Sequence, residues 1–297
     1  MSYRTLTDDQ AQFFLDNGYV IIKNAFSREA AQEHTNLAWQ RLGYDPHDPD
    51  TWVEGKIHMP TLTRFPISEF APKAWDAICD LMGGEDRIDM SRANWGDAFI
   101  VNLHFDTDEP YREPSPTAGG WHVDGDFFRH FLDSPEQGLL TIVIWSDILP
   151  RSGGTFVAPD SVPLVARHLA AHPEGILPTK DSPVPLGSHL IGECREFLEL
   201  TGETGDVVLI HPFMLHASSQ NPSGRPRFIT NPPVTLNEPM NFNRDNPDDF
   251  SLIERAVLNA LGVERHDFQP THPREAVVPE RVRRQQKMLE DEKARLG

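Results

Sequence analysis

Apolar and polar positions follow two different periods along this chain, and the points where the period changes predict its elements. "DDQAQFFLDNG", opening after Thr7, has acids in its first turn and Gly18 as a stop, which predicts a helix with Thr7 as its N-cap. "YVIIKNAF" then reads as a short strand, and Ser27 caps a second helix that runs to about Arg41. Residues 44–70 are rich in Pro, Asp and Gly and read as loop, followed by a short helix over "APKAWDAICDLMG". "DAFIVNLHF" (97–105) predicts a strand and "DTDEPYREPSPTAGG" the loop after it. "GLLTIVIWSDIL" (138–149) is almost continuously apolar and β-branched, the pattern of a strand buried on both faces.

Three more strands are predicted, over "GGTFVAPDS", "GDVVLIHPFMLHASS" and "RPRFITNPPVTL", each bounded by Gly, Pro or Ser. Short strands and frequent turns without βαβ alternation predict a mainly β protein with flanking helices, a sandwich or jelly roll. Between 163 and 200, "LVARHLAAH" and "CREFLEL" suggest a helical insertion and a short element. The tail "PERVRRQQKMLEDEKARLG" reads as a terminal helix. Val282, Leu289 and Leu296 fall seven apart, but polar residues occupy the intervening seam, which favours a helix docked on its own domain. No linker demands a second domain. The expected organisation is one domain over 1–297: an N-terminal region 1–95, a core 96–240 with the insertion, and a helical region 241–297.

Composition narrows the function. The chain has 297 residues, 38% of them hydrophobic, enough to bury a sizeable core. A formal charge of −18 argues against nucleic acid or an anionic membrane as a partner, since both need a positive face. Cys79 and Cys194 form no C-x-x-C and no disulfide framework, as expected in a reducing compartment. "MSYRTLTDDQ" lacks the basic and apolar regions of a secretory signal, and no apolar run reaches the roughly 18 residues of a membrane span. The expectation is a soluble, cytoplasmic protein, monomer or homodimer.

Two His-x-Asp pairs raise the question of a metal: His104/Asp106 and His122/Asp124. In an extended segment i and i+2 share a face, so such a pair can lean onto one ion. A second histidine from a neighbouring strand completes a 2-His-1-carboxylate face with open positions, the arrangement of non-haem Fe(II) oxygenases. Asp106 stands where its strand gives way to an acidic loop. His122 and Asp124 follow Gly119-Gly120 and precede Phe127, Phe128 and the buried strand, a drier setting that favours them. "GDVVLIHPFMLHASSQNPSGRPRFITN" offers His211 and His216 on an apolar strand, then Arg225 and Arg227. A buried cation there needs an anionic partner, and a dicarboxylate reaching from an iron would supply one.

The combination resembles the Fe(II)/2-oxoglutarate-dependent oxygenases, and among them the phytanoyl-CoA dioxygenase family. The resemblance rests on "LTDDQAQFFLDNGYVIIKNAFS", "WHVDGDFF", "WSDILPRSGGTFVAPDSV" and "GDVVLIHPFMLHASSQNPSGRPR", which together span most of 5–235. It implies a double-stranded β-helix core, also called a jelly roll or cupin-like fold. Fe(II) would be held by His122, Asp124 and His216, with His211 as the non-ligand histidine of "HP". The resemblance also implies 2-oxoglutarate and O2 as cosubstrates. Arg227, with ten residues between it and His216, would pair with the distal carboxylate of 2-oxoglutarate, helped by Ser218, with Thr141 and Asn102 as further pocket residues. The expected reaction is hydroxylation of an unactivated C–H with release of succinate and CO2, and a carboxylate at Asp124 disfavours halogenation. "APDS" (158–161) departs from the family's "PGSH" turn.

Trp121, Phe128, Arg129, Arg64 and His58 are candidates for the substrate pocket, with Lys56 and Arg112 beside them; these cations would suit an anionic small molecule. Two other classes stay open: a jelly-roll isomerase or hydrolase without 2-oxoglutarate, using His104 or His211 and not Arg227, and a metal-free binding module.

Overall fold

A computed structural model describes residues 3–179 and 182–296. The N-terminal part contains α1 (Asp8–Asn17), β1 (Tyr19–Ile22), α2 (Arg28–Leu42), β2 (Lys56–His58), β3 (Arg64–Pro66), α3 (Ile67–Phe70) and α4 (Pro72–Met82). The middle follows with β4 (Asn94–Gly96), β5 (Ile100–Asn102), β6 (Leu139–Ile144), β7 (Thr155–Ala158), α5 (Ser161–Ala170) and β8 (Leu198–Leu200). The remainder is β9 (Val207–Ile210), β10 (Leu215–Ser218), β11 (Arg227–Thr230), β12 (Pro233–Val234), α6 (Leu252–Leu261) and α7 (Arg281–Leu296).

The core is a jelly roll of antiparallel sheets with helices on its flanks. The larger sheet runs β1-β9-β6-β11-β5-β2, with β12 also paired to β6. All six residues of β6 are buried, as its unbroken apolar run requires of a strand covered on both faces. The second sheet is β10-β7-β8. Residues 205–219, which read as one strand, divide into β9 and β10 on different sheets. "HPFM" turns the corner between them, where Pro212 has no N–H for a ladder. His211 N donates to Gly18 O at 2.8 Å there. Gly18 has a positive φ of 71°, and a Cβ on it would stand 2.8 Å from Val162 Cγ2. One glycine thus ends α1 and lets the corner pack.

Residues 44–70 are not all loop. β2 joins the large sheet at β5 with Lys56 opposite Asn102, and β3 pairs with β4. Three-residue strands are too short to show a period, so pairing alone reveals them. The strand expected over 97–105 shrinks to β5, because the chain turns after Leu103. Among the described residues no helix is long and apolar enough to cross a membrane.

The C-terminal part wraps back onto the core. Thr271 N donates to Pro173 O, Arg129 N to Glu275 O, and Val277 N to Phe127 O, at 2.7 to 2.9 Å. Residues 271–277 therefore form a strap along 127–131, and α7 continues from it to pack on α2. Arg41 of α2 is wholly buried and donates from Nε to Glu292 of α7 at 2.8 Å and from Nη1 to Asp97 at 2.9 Å. Asp97 in turn accepts from the backbone of Leu62 and Thr63. Breaking one member of a buried charge network is far more costly than losing a surface pair. Glu292→Ala is expected to destabilise the fold by about 3 kcal/mol, read as a lower urea midpoint. An unchanged midpoint would show that α7 is not secured through this network.

Candidate metal centre

His122 and His216 are brought together by their own backbones. Residue 122 lies in an extended segment after two glycines, and it forms an isolated bridge to β10. His122 N donates to His216 O and His216 N to His122 O, each at 3.0 Å. Directly opposed residues of an antiparallel pair point to the same face. The two rings accordingly stand 4.4 Å apart between centroids. Each ring is oriented by a backbone carbonyl two residues earlier: His122 Nδ1 by Gly120 O at 2.8 Å, His216 Nδ1 by Met214 O at 3.1 Å. Both Nε2 atoms are left to face Asp124.

Asp124 Oδ1 lies 3.4 Å from His122 Nε2 and 3.5 Å from His216 Nε2. Two ligands at ~2.1 Å on perpendicular axes of one ion stand ~3.0 Å apart, so these spacings fit a facial site. The three residues form a group able to hold a metal ion. Burial alone would raise the Asp124 carboxyl, but His216 and His122 outweigh it and hold it well below its usual range. Desolvation opposes charge on His122, yet Asp124 prevails and raises that imidazole. Asp124 Oδ2 accepts from Asn231 Nδ2 at 2.7 Å, which turns Oδ1 toward the histidines. Gly125, with φ at 110°, then bends the chain; a Cβ there would stand 2.6 Å from Phe128 and 2.7 Å from His130.

The group opens onto a cavity of about 480 Å³ between the two sheets. Arg227 of β11 lines it while only 2% exposed. Its Nη1 donates to Ile100 O at 3.1 Å, and its Nε has no partner among the described residues. Burial pushes this guanidinium down to about 10. Beside it, Lys56 of β2 donates to Ser218 Oγ at 2.5 Å. Burial, then Arg227, lowers Lys56 to about 8, with Asp124 opposing. His58 is pushed to about 4, first by burial and then by Lys56, Arg227 and Arg281, so it is neutral at pH 7. Phe99, Leu140, Ile142 and Ile229 supply an apolar lining.

Of the remaining sequence candidates, Arg64 and His58 line the cavity with Lys56. Several others face elsewhere. Thr141 lies between Leu140 and Ile142, which do line it; alternation turns Thr141 to the opposite face, where Oγ1 donates to Pro232 O at 2.7 Å. Asn102 spends its amide on Ser219 O and Phe105 N behind the cavity. Trp121 packs on Phe156 and Phe197. Phe128 stacks on His130, and its neighbour Phe127 faces the cavity instead. Arg129 pairs with Glu275 and Arg112 with Asp106. The second His-x-Asp pair is separated: His104 Nε2 meets Trp52 O at 3.1 Å, and Asp106 adopts a positive φ of 55°. His211 is buried against Phe14 and Phe213. Asn231, Arg281 and Gln285 are site residues that no local pattern in the sequence marks; Asp126, on the same alternation as His122 and Asp124, lines the cavity as well.

A jelly roll carrying two histidines and an aspartate on one metal-competent face, with a buried arginine in the same cavity, defines the class. The phytanoyl-CoA dioxygenase (PhyH) family model matches residues 14–229, and the chain belongs to that family. Among solved structures it is similar to the epimerase SnoN from nogalamycin biosynthesis, described as in complex with Fe3+, alpha ketoglutarate and nogalamycin RO, at 16% identity, TM-score 0.44, covering 77% of this chain and 82% of that one. It is also similar to EctD from S. alaskensis with 2-oxoglutarate and 5-hydroxyectoine, at 18% identity, TM-score 0.42, covering 80% and 77%. HygX from Streptomyces hygroscopicus, with nickel and 2-oxoglutarate bound, gives 15% identity, TM-score 0.43, and coverage of 76% and 86%. Comparison with curated proteins returns no match.

Asn231 orients a ligand without being one, and such partners typically change metal affinity by 10–100-fold (order of magnitude). Asn231→Ala is expected to weaken divalent-metal binding by roughly tenfold or more in a calorimetric titration. Wild-type affinity in that variant would mean that Asp124 needs no such support.

Proposed function

We propose that this chain is a dioxygenase that uses Fe(II), 2-oxoglutarate and O2 to hydroxylate an unactivated C–H bond of a small molecule. One observation carries the reading. A face able to hold a metal and a buried arginine with no carboxylate partner among the described residues open onto the same cavity. The chain as a whole, 1–297, would act as one oxygenase domain, the 96–240 core flanked by regions 1–95 and 241–297.

His122, Asp124 and His216 would hold the iron, a set of two imidazoles and one carboxylate suited to Fe(II). Arg227, with Lys56 and Ser218 next to it, would take the far carboxylate of 2-oxoglutarate. Arg presents a planar fork to a carboxylate, and here it is already desolvated, so a bound anion relieves its burial. When bound, the metal and 2-oxoglutarate supply the oxidising power for C–H hydroxylation, with succinate and CO2 as co-products. Asn231 keeps Asp124 turned toward the histidines, and Phe99, Leu140, Ile142 and Ile229 exclude water around the reacting group.

The competing readings fit less well. An isomerase or hydrolase without 2-oxoglutarate would recruit His104 or His211, but the first is tied to Trp52 O and the second lies in the core. A metal-free module leaves the buried charge of Arg227 without purpose.

Anaerobic addition of Fe(II) and 2-oxoglutarate is expected to give a weak visible charge-transfer band, lost in His216→Ala and retained in His104→Ala. No band in the wild type sinks the reading. Lys56 gives a pH test. Its ammonium attracts a carboxylate only while charged, so the contribution is present below pH 8 and lost as pH rises through that value. Band titrations are expected to show 2-oxoglutarate affinity falling by up to ~tenfold per pH unit above pH 8, and a flatter profile in Lys56→Met. Identical profiles would remove Lys56 from this role.

A further inference from the structure

The charges of the cavity point to the class of substrate, an inference that rests on the function proposed above and deepens it. Four cations, Lys56, Arg64, Arg227 and Arg281, line the cavity against two carboxylates, Asp124 and Asp126. The surplus is two positive charges. Fe(II) adds two and 2-oxoglutarate removes two, so the surplus persists when both are bound. It occurs in a chain of formal charge −18, so it does not follow from composition. A cleft of one sign draws the opposite charge from solution.

Two of these cations remain free of the metal and cosubstrate roles. Arg281 begins α7 and grips Asp126 with Nε and Nη2, at 2.6 and 2.5 Å. Its Nη1 reaches only Gln285 Oε1, at 3.5 Å, and its side chain is 47% exposed. The strap along 127–131 and the buried Arg41–Glu292 pair hold α7 at both ends, so Arg281 is placed by the fold. Arg64, on β3, is exposed at the same cavity and has no side-chain partner among the described residues. His58 carries no charge to add to theirs, since burial and then the surrounding cations keep it neutral.

We propose that the substrate is a small molecule bearing an anionic group, carboxylate or phosphate, received by Arg281 and Arg64 at the solvent-facing edge of the cavity, with its reacting C–H directed toward His122, Asp124 and His216. Arg281 and Arg64 are then specificity-determining residues.

The test uses the full chain with Fe(II) and 2-oxoglutarate, first without oxygen. The visible band reports loading, so its absence from the wild type fails the oxygenase reading itself. The loaded protein is given carboxylic acids beside their methyl esters and phosphate monoesters beside their parent alcohols. Perturbation of the band, and succinate release in air, are read for each. Anionic members are expected to respond and their neutral counterparts not, the better series deciding between carboxylate and phosphate. Arg281→Gln and Arg64→Gln should each raise the half-saturating concentration of the best responder by about tenfold or more while the band remains. Arg281→Lys, which keeps the charge, should lose less. The proposal is overturned if neutral counterparts respond as well, if no anionic member responds, or if both glutamine variants keep wild-type half-saturation. Arg64 is exposed and unpaired, so its variant remains informative should Arg281→Gln disturb α7.

Discussion

His122 and His216 exchange both backbone hydrogen bonds, and this pairing allows two segments distant in sequence to present their imidazoles to one point. Remove it and the carbonyls of Gly120 and Met214 still orient their own rings, but no longer toward each other. Asp124 takes its place from the same geometry, two residues along an extended chain, with Asn231 fixing which oxygen faces the rings. The centre is therefore a backbone construction first and a side-chain one second. That suits a metal site, whose tolerance in position is a few tenths of an ångström.

The second constraint is electrostatic. A buried guanidinium without an acid is costly, and among the described residues Arg227 has only a backbone carbonyl as hydrogen-bond partner. Lys56 beside it makes the region more positive, and both groups are depressed by their surroundings. Such an arrangement is stabilised by an arriving anion, so the same feature that costs stability in the free protein favours binding. Asp124 balances it locally and belongs to the metal face.

The family match ends at residue 229, and the strap and α7 lie beyond it. The strap binds 127–131 by backbone hydrogen bonds, immediately downstream of the ligands, and delivers Arg281 and Gln285 to the cavity.

Local patterns made much of this legible from sequence. The capped helices, the buried strand β6 and the His-x-Asp segment with its distal histidine and following arginine all announce themselves within a few residues, because caps, periods and ligand spacings are short-range. Facing was harder. Thr141, Asn102, Trp121, Phe128 and Arg129 lie near the site in sequence, yet the cavity takes Leu140, Ile142 and Phe127 instead, since a one-residue step reverses a strand's face. β2 was hidden in an apparent loop and supplied Lys56 and His58. Asn231 and Arg281 have no signature, because each matters through a partner 107 or 155 positions away. The sequence by itself determined which elements form and which residue types could hold a metal. The sequence could favour one of two His-x-Asp pairs by context and resemblance; only the tertiary structure brings that pair against its third ligand, because the meeting depends on strand register and on the closure of one sheet over another.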